Sequence, residues 1–324
     1  MAARGDTGRE IVVDRDHAGS RVDVLLAALS PSLGVRARRR LVEAGLVLLN
    51  GRRARSGDRA GEGARLVLLD DGLRCAQGPR GRLILERPRY LFFAKPALVH
   101  TVSLAGKGGA SLEEQVPAIL AAAGLPYGGV TLLQRLDFAT SGIVAAARSQ
   151  AAARAFREAE ARGIVAKRYV CLLEGVLESP ARVSRQLVSD GGRGVRCLQR
   201  DDPDPARTTA FTPLGTFPLG ELFPGHARAG ELVTLAGCVI QRGARHQVRA
   251  HARSLGHPLA GDRRYGAALT LPWARGFFLH HGLLTFPGER AGLLPDDGDL
   301  PLSRDAPAGA RARALVSGWF AQER

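Results

Sequence analysis

The sequence predicts an α+β protein in two domains. Three observations carry that reading. Segments with helical spacing of apolar residues and segments with strand-like alternation follow one another along the chain of 324 residues up to about residue 288. A Gly- and Arg-rich stretch, "GLRCAQGPRGR", interrupts them and reads as a linker over 73–82. The length allows two cores, a small α/β module over 1–72 and a larger domain over 83–324.

In the module, "SRVDVLLAAL" places Val22, Leu25, Leu26 and Leu29 on one helical face behind a Ser20 cap, and Pro31 ends it. "GVRARRRLVEAG" reads as a second helix, stopped at Gly45. "LVLLNGRRA" reads as strand, Asn50-Gly51 turn and strand, and "GARLVLL" as a further strand. Ten arginines stand against four acids over residues 21 to 65. Arg36, Arg38, Arg39 and Arg40 fall on one helix, and Arg52 and Arg53 on the hairpin. A solvated basic face is the bland alternative. Clustering favours a surface for the RNA backbone.

In the larger domain, "LILERPRYLFFAKPALVH" reads as two strands with a Lys95-Pro96 turn. "SQAAARAFREAEARG" is a helix capped by Ser149 and closed by Gly163. "VAKRYVCLLEG" alternates as a strand with Lys167, Tyr169, Cys171 and Leu173 on one face. Residues 190–206 are polar and read as a long hairpin or loop. "GARHQVRAHARSLGHP" reads as a helix stopped by Gly256 and Pro258. On it Arg245, Arg249 and Arg253 form an i, i+4 stripe opposite Val248, Ala252 and Leu255.

Composition narrows the function classes. The formal charge is +15 and the pI about 11.0, which favours a polyanionic partner, most simply nucleic acid. An arginine-favouring composition explains part of it, since only Lys95, Lys107 and Lys167 among 46 basic residues are lysine. The same bias singles out those lysines as places that need a compact ammonium. No run of 18 apolar residues occurs, and the first residues are charged, so a cytoplasmic protein is expected. Cys75, Cys171, Cys197 and Cys238 are scattered, which predicts neither disulfides nor a cysteine zinc site. His246 and His251 are five apart, off the i, i+4 spacing of a helical metal pair, so no metal is expected.

The stretch "LLQRLDFATSGIVAAARS" carries the chemistry. Asp137 lies between the apolar Leu132-Leu133 and the run from Ile143 to Ala147. A carboxylate so placed loses water and needs a cation or a task. On Asp137, Thr140, Ser141 and Gly142 alone a turn would explain as much.

The order and wording of the motifs resemble RluA-type pseudouridine synthases. Arg135-Leu136-Asp137 with Thr140-Ser141-Gly142 matches that family's first motif, and Lys167-Arg168-Tyr169 its second. "HQVRAH", "GHP" and "GDRRYG" match its third. Lys95-Pro96, "ARTTAF" and "LHHGLLTFP" fit its opening, middle and closing strands, and the first module resembles an alpha-L RNA-binding motif. The likeness spans residues 18 to 288 and rests on several motifs in order.

The resemblance implies a pseudouridine synthase fold, with a long mixed, mainly antiparallel sheet flanked by helices and an active cleft across its middle. It implies isomerisation of specific uridines, with large-subunit ribosomal RNA ahead of transfer RNA, by a monomer without cofactor. Asp137 becomes the catalytic carboxylate, as nucleophile or as proton abstractor. Arg249 becomes its cationic partner, and Tyr169 the ring that stacks on the target base. Arg135, Gln134, Lys167, Arg245, His246 and Gln247 become substrate-binding groups.

Two positions depart from the family. Gln134 stands where a histidine precedes the first motif, and Ala244 where an arginine precedes the third, with Arg245 one place later. The segment after residue 290 also departs. A catalytically silent RNA-binding factor on the same fold is the leading alternative. A carboxylate glycosidase is a second, and these motifs offer no second acid beside Asp137.

Overall fold

A computed structural model of the chain describes residues 9–31, 34–43, 46–55, 57–68, 81–103, 111–191, 194–271, 276–295 and 307–322. The chain divides into two compact units, Met1–Arg80 and Gly81–Arg324. Most of the expected linker lies outside the described residues.

The first unit is an antiparallel sheet in the order β1-β4-β2-β3, with β1 (Arg9–Val12), β2 (Val47–Leu49), β3 (Arg52–Arg53) and β4 (Arg65–Leu68). Helices α1 (Val22–Leu29) and α2 (Val35–Glu43) accompany it. Val22, Leu25, Leu26 and Leu29 are buried, as their spacing requires. Asn50 and Gly51 both have positive φ, which matches the tight turn expected between β2 and β3. Ser20 does not cap α1. Arg21 occupies the N-cap without a side-chain cap bond, and its guanidinium reaches Asp23 at 2.9 Å instead. Strand β1 was not foreseen, because its residues sit in a charged stretch. The Gly45 stop lies outside the described residues.

The second unit holds a long mixed sheet. Its path begins with β10 (Ala181–Val183), β13 (Thr209–Pro218), β14 (Leu232–Ile240) and β9 (Ala166–Glu174). It continues through β15 (Leu279–Phe286), β8 (Ser141–Ala147), β6 (Tyr90–Lys95) and β5 (Arg82–Glu86). β16 (Glu289–Gly292) pairs with β15, and β7 (Thr131–Leu132) with β8. The β15–β8 pair is parallel and the other pairs are antiparallel. The expected polar hairpin is β11 (Arg185–Ser189) with β12 (Val195–Asp201).

Period-two alternation divides the core between two faces. On β9, Tyr169, Cys171 and Leu173 join one cluster, with Leu136 and residues of α3 (Leu112–Ala122) and α6 (Gln247–Ser254). Val170 and Leu172 point the other way, toward α7 (Pro307–Ala321) and the short α5 (Leu219–Leu222). Helix α4 (Gln150–Ala161), capped by Ser149, packs Phe156 against Phe286. Helices α3 and α7 were not foreseen. α3 begins on a full capping box, Ser111 with Glu114.

Helix α7 meets the sheet where side chains are missing. A Cβ on Gly237 would run into the Trp319 indole, and one on Gly282 into the Phe320 ring. Trp319 also donates its indole N–H to the Tyr169 carbonyl at 3.1 Å. Among the described residues no helix is long and apolar enough to cross a membrane.

Candidate active site

Asp137 lies in the loop between β7 and β8, and local hydrogen bonds fix that loop. Thr101 Oγ1 accepts from Leu136 N and donates to Leu136 O, both at 2.9 Å. Leu98 N donates to Phe138 O at 2.7 Å, and Thr140 N to Asp137 O at 3.0 Å. Lys95, fully buried, donates from Nζ to the carbonyls of Pro96 (2.8 Å) and Val99 (2.7 Å). One compact ammonium thus gathers the chain opposite the loop, a geometry that a planar guanidinium does not match. Leu98 has φ 65, and His246 across the site has φ 53. Non-glycine residues rarely take this conformation, and these two flank Asp137.

Ser141 and Gly142 begin β8. Ser141 Oγ lies 2.9 Å from His280 Nδ1. Gly142 has φ 119, and a Cβ there would strike the His281 backbone. The motif glycine therefore permits the parallel approach of β8 and β15.

Arg249 arrives from α6. Its Nη1 donates to Asp137 Oδ2 at 3.0 Å. Its Nε and Nη2 grip Asp262 at 2.7 and 2.9 Å. Its guanidinium also lies over the rings of Phe277 and Tyr265, at 4.5 and 5.0 Å. Burial works to lower the Arg249 pKa. Asp262 and then Asp137 more than offset it, so the pKa is raised and the cation is secure. Asp262 was not singled out from the sequence, although "GDRRYG" contains it. It is a second acid beside Asp137 after all. Both its oxygens are occupied by Arg249, and it is buried.

The expected arginine stripe is corrected. Helix α6 starts at Gln247, and the left-handed His246 is its N-cap. Arg245 therefore precedes the helix and is exposed. The turn carries His246 to the site, where its Nε2 lies 3.9 Å from Asp137 Oδ1 and its Nδ1 2.8 Å from the Tyr265 hydroxyl. Burial lowers the His246 pKa. Asp137 opposes the shift, while Arg249, Arg245 and Arg264 reinforce it. The ring is neutral at pH 7.

Tyr169 stands on β9, facing the same site. Burial first, and the Asp137 charge next, raise its pKa, so the phenol is protonated. Arg135 is in the same loop as Asp137 and exposed. Lys167 is buried and pairs with Glu160 of α4. Gln247 binds the carbonyl of Arg207 at 3.0 Å and Thr209 Oγ1 at 3.2 Å, and accepts from Ala244 N at 2.8 Å. Lys167 and Gln247, both expected to hold substrate, are thus engaged by protein groups. In the first unit, Arg39 pairs with Asp23 and Arg52 with Asp58. The side chains of Arg36, Arg40 and Arg53 lie outside the described residues, and Arg38 is half-buried.

Beside the site runs a groove of about 570 Å³ between the β11–β12 hairpin and the end of α6. Arg185, Arg196, Arg253 and Arg264 line it, and among the described residues no acid does. Tyr265 belongs to both places, since its hydroxyl meets His246 and accepts from Val195 N at 3.2 Å. Among the described residues no cluster of acids, cysteines and histidines could hold a metal.

Comparison with known proteins gives one answer. Residues 89–254 match the family model described as RNA pseudouridylate synthase. The chain is 30% identical over 272 residues to ribosomal large subunit pseudouridine synthase D of Xanthomonas campestris pv. campestris, covering 82% of this chain and 76% of that relative. It is 30% identical over 140 residues to ribosomal large subunit pseudouridine synthase C of Escherichia coli, covering 42% of this chain and 39% of that one. In fold it is similar to human RNA Pseudouridylate Synthase Domain Containing 1, with TM-score 0.52 at 22% identity, over 75% of this chain and 96% of that one.

Proposed function

This chain belongs to the RNA pseudouridylate synthase family and is an RNA pseudouridine synthase, an isomerase; from that premise we propose that it modifies large-subunit ribosomal RNA and that Asp137 is its catalytic carboxylate. The observation that carries the residue assignment is the buried Arg249 guanidinium holding Asp137 beside Tyr169.

The reaction breaks the bond between uracil and the anomeric carbon, turns the base and rejoins it through a ring carbon. Nothing is oxidised or reduced, so the reaction calls for no cofactor. An ionised carboxylate must attack the sugar or take a sugar proton. Arg249 donates to that carboxylate, and Asp262 keeps the guanidinium aimed at it. Tyr169 lies against the flipped uracil with its phenol protonated. The target nucleotide leaves its stack, because the sugar carbon is out of reach within one.

The names of the synthase D and C relatives support ribosomal RNA as substrate. The arginine-lined groove supports a path for the RNA backbone running from Tyr265 past Arg253 and Arg264. Arg135 and Arg245, exposed beside the site, assist in holding the displaced nucleotide. The first unit serves as an RNA-binding module, and the enzyme works as a cytoplasmic monomer.

The test uses RNA labelled with tritium at uracil carbon 5. Wild-type protein releases tritium as that carbon bonds to the sugar, and Asp137→Asn releases none while folding and binding RNA as before. Turnover of the variant within about tenfold of wild type, a barrier change of only ~1.4 kcal/mol, would remove Asp137 from this role. Wild-type protein that binds RNA without releasing tritium would be the silent RNA-binding factor. Mapping pseudouridines in a deletion strain identifies the target.

A further inference from the structure

Gln134 stands where the resemblance calls for a histidine, and its contacts explain how the site accommodates that change. Gln134 Nε2 donates to the Ile143 carbonyl at 3.1 Å and lies 3.4 Å from Nδ1 of His281. His281 Nδ1 is 2.7 Å from the same carbonyl, so that nitrogen carries the proton. Strand pairing sets His281 of β15 opposite Tyr169 of β9. The two rings are stacked, with centroids 4.6 Å apart and planes 23° from parallel.

His281 is fully buried. Desolvation, followed by the Lys167 charge and then His280, lowers its pKa to about 3, so the ring in the stack is neutral. A polar ring in such a place is costly unless something requires it. Among the described residues, its Nε2 and the Gln134 Oε1 are buried without a hydrogen-bond partner. Shape explains the choice better than hydrogen bonding does. A phenol ring turns easily about its χ2 torsion, and a flat ring against one face holds it still. The opposite face of Tyr169 then stays oriented for uracil.

We propose that His281 is a positioning residue for Tyr169, supplying from β15 the imidazole that position 134 lacks, with Gln134 and His281 acting as an exchanged pair. The proposal rests on the reading of Tyr169 as the ring that meets the base. Gly142 belongs to the same device, because only a residue without Cβ lets β8 approach the His281 backbone. The residue pair conserves volume under reciprocal exchange, which a close-packed site tolerates best.

The experiment measures the single-turnover rate at saturating RNA, the RNA Kd and thermal unfolding for a set of variants. His281→Ala should slow the rate about tenfold or more while Kd changes less than about twofold, because geometry rather than RNA affinity is impaired. His281→Phe should retain most of the rate, since a flat ring remains. His281→Gln should be as slow as alanine. The exchange Gln134→His with His281→Gln should return to within about threefold of wild type, a non-additive recovery that a simple core filler does not give.

A wild-type rate for His281→Ala, phenylalanine no faster than alanine, or an exchange no better than His281→Gln would each overturn the proposal. If the exchanged protein does not fold, the alanine–phenylalanine comparison decides alone. Tyr169→Leu is measured alongside. A wild-type rate there sinks the reading of Tyr169 itself. A slow Tyr169→Leu with a normal His281→Ala sinks only the role of His281.

Discussion

Asp262 holds two of the three nitrogens of the Arg249 guanidinium, and Asp137 holds the third. The buried acid is the anchor and the half-buried acid is the one served. Asp262 is 2% exposed, and the Asp137 side chain 24%. One cation between two carboxylates leaves the trio with a net negative charge. Asp137 thus keeps an accessible oxygen, while the orientation of the arginine does not depend on substrate. Donors fixed before the reaction stabilise charge without reorganising during it.

The relationship predicts a graded series. Asp262→Ala leaves a buried guanidinium short of one partner and should destabilise the protein by about 3–5 kcal/mol. Asp262→Asn keeps the shape with one charge fewer, so it should fold, bind RNA and turn over slowly. Arg249→Lys should recover little, because one ammonium cannot satisfy both carboxylates as the fork does. Urea unfolding and turnover at saturating RNA check the series. Wild-type turnover in Asp262→Asn would show that Arg249 needs no anchor.

Much of this site was legible because its parts carry local signals. Asp137 stands out as an acid between apolar runs, Tyr169 alternates on a clear strand, and Arg249 follows from a motif in order. What escaped reading was tertiary. The left-handed backbone at His246 ends the apparent stripe, and nothing in "GARHQVR" announces a positive φ there. Asp262 looks like a turn residue until Arg249 is seen beside it. His281 reads as one of several crowded, structural hydrogen-bonding histidines until β15 is paired with β9. Helix α7 is rich in alanine and glycine, and the clearest marks of its docking face, Trp319 and Phe320, answer glycines on distant strands.

Those glycines yield a second prediction, on stability. Gly282→Ala would place a methyl in the Phe320 ring, and Gly237→Ala one in the Trp319 indole. Each should cost about 1–3 kcal/mol through overpacking. Gly318, on α7 itself, faces open space. Gly318→Ala should therefore stabilise by about 0.5–1 kcal/mol through helix propensity. Urea midpoints moving in one direction for all three would contradict the docking of α7 on the sheet.

A third prediction concerns the first unit. Removing residues 1–72 should weaken RNA binding and flatten its salt dependence. Every phosphate left without its arginine lowers the slope of log K against log salt by about 0.7–0.9. Arg39 and Arg52 already face Asp23 and Asp58, so they should contribute less than the arginine count suggests. Binding isotherms at several salt concentrations decide the matter. An unchanged slope would make the basic cluster a solvated face.

The last prediction follows from the buried histidines. Burial lowers the pKa of His281 to about 3, and lowers those of His246 and His251 as well. The unfolded chain binds protons on these rings from about pH 6.5 downward, where the folded chain does not. The stability tied to neutral rings is therefore complete above that pH and is lost as pH falls. Each group contributes at most ~1.4 kcal/mol per pH unit. The lowered carboxylates, Asp23 and Asp204, act in the same direction but only near and below their ordinary range around pH 4. Between pH 6.5 and 4.5 the histidines should dominate. His281→Phe removes one of these rings, so unfolding free energy plotted across that window should slope less by about one proton. A variant as acid-sensitive as wild type would mean that His281 takes up its proton without unfolding. A charged ring would then be tolerated against Tyr169.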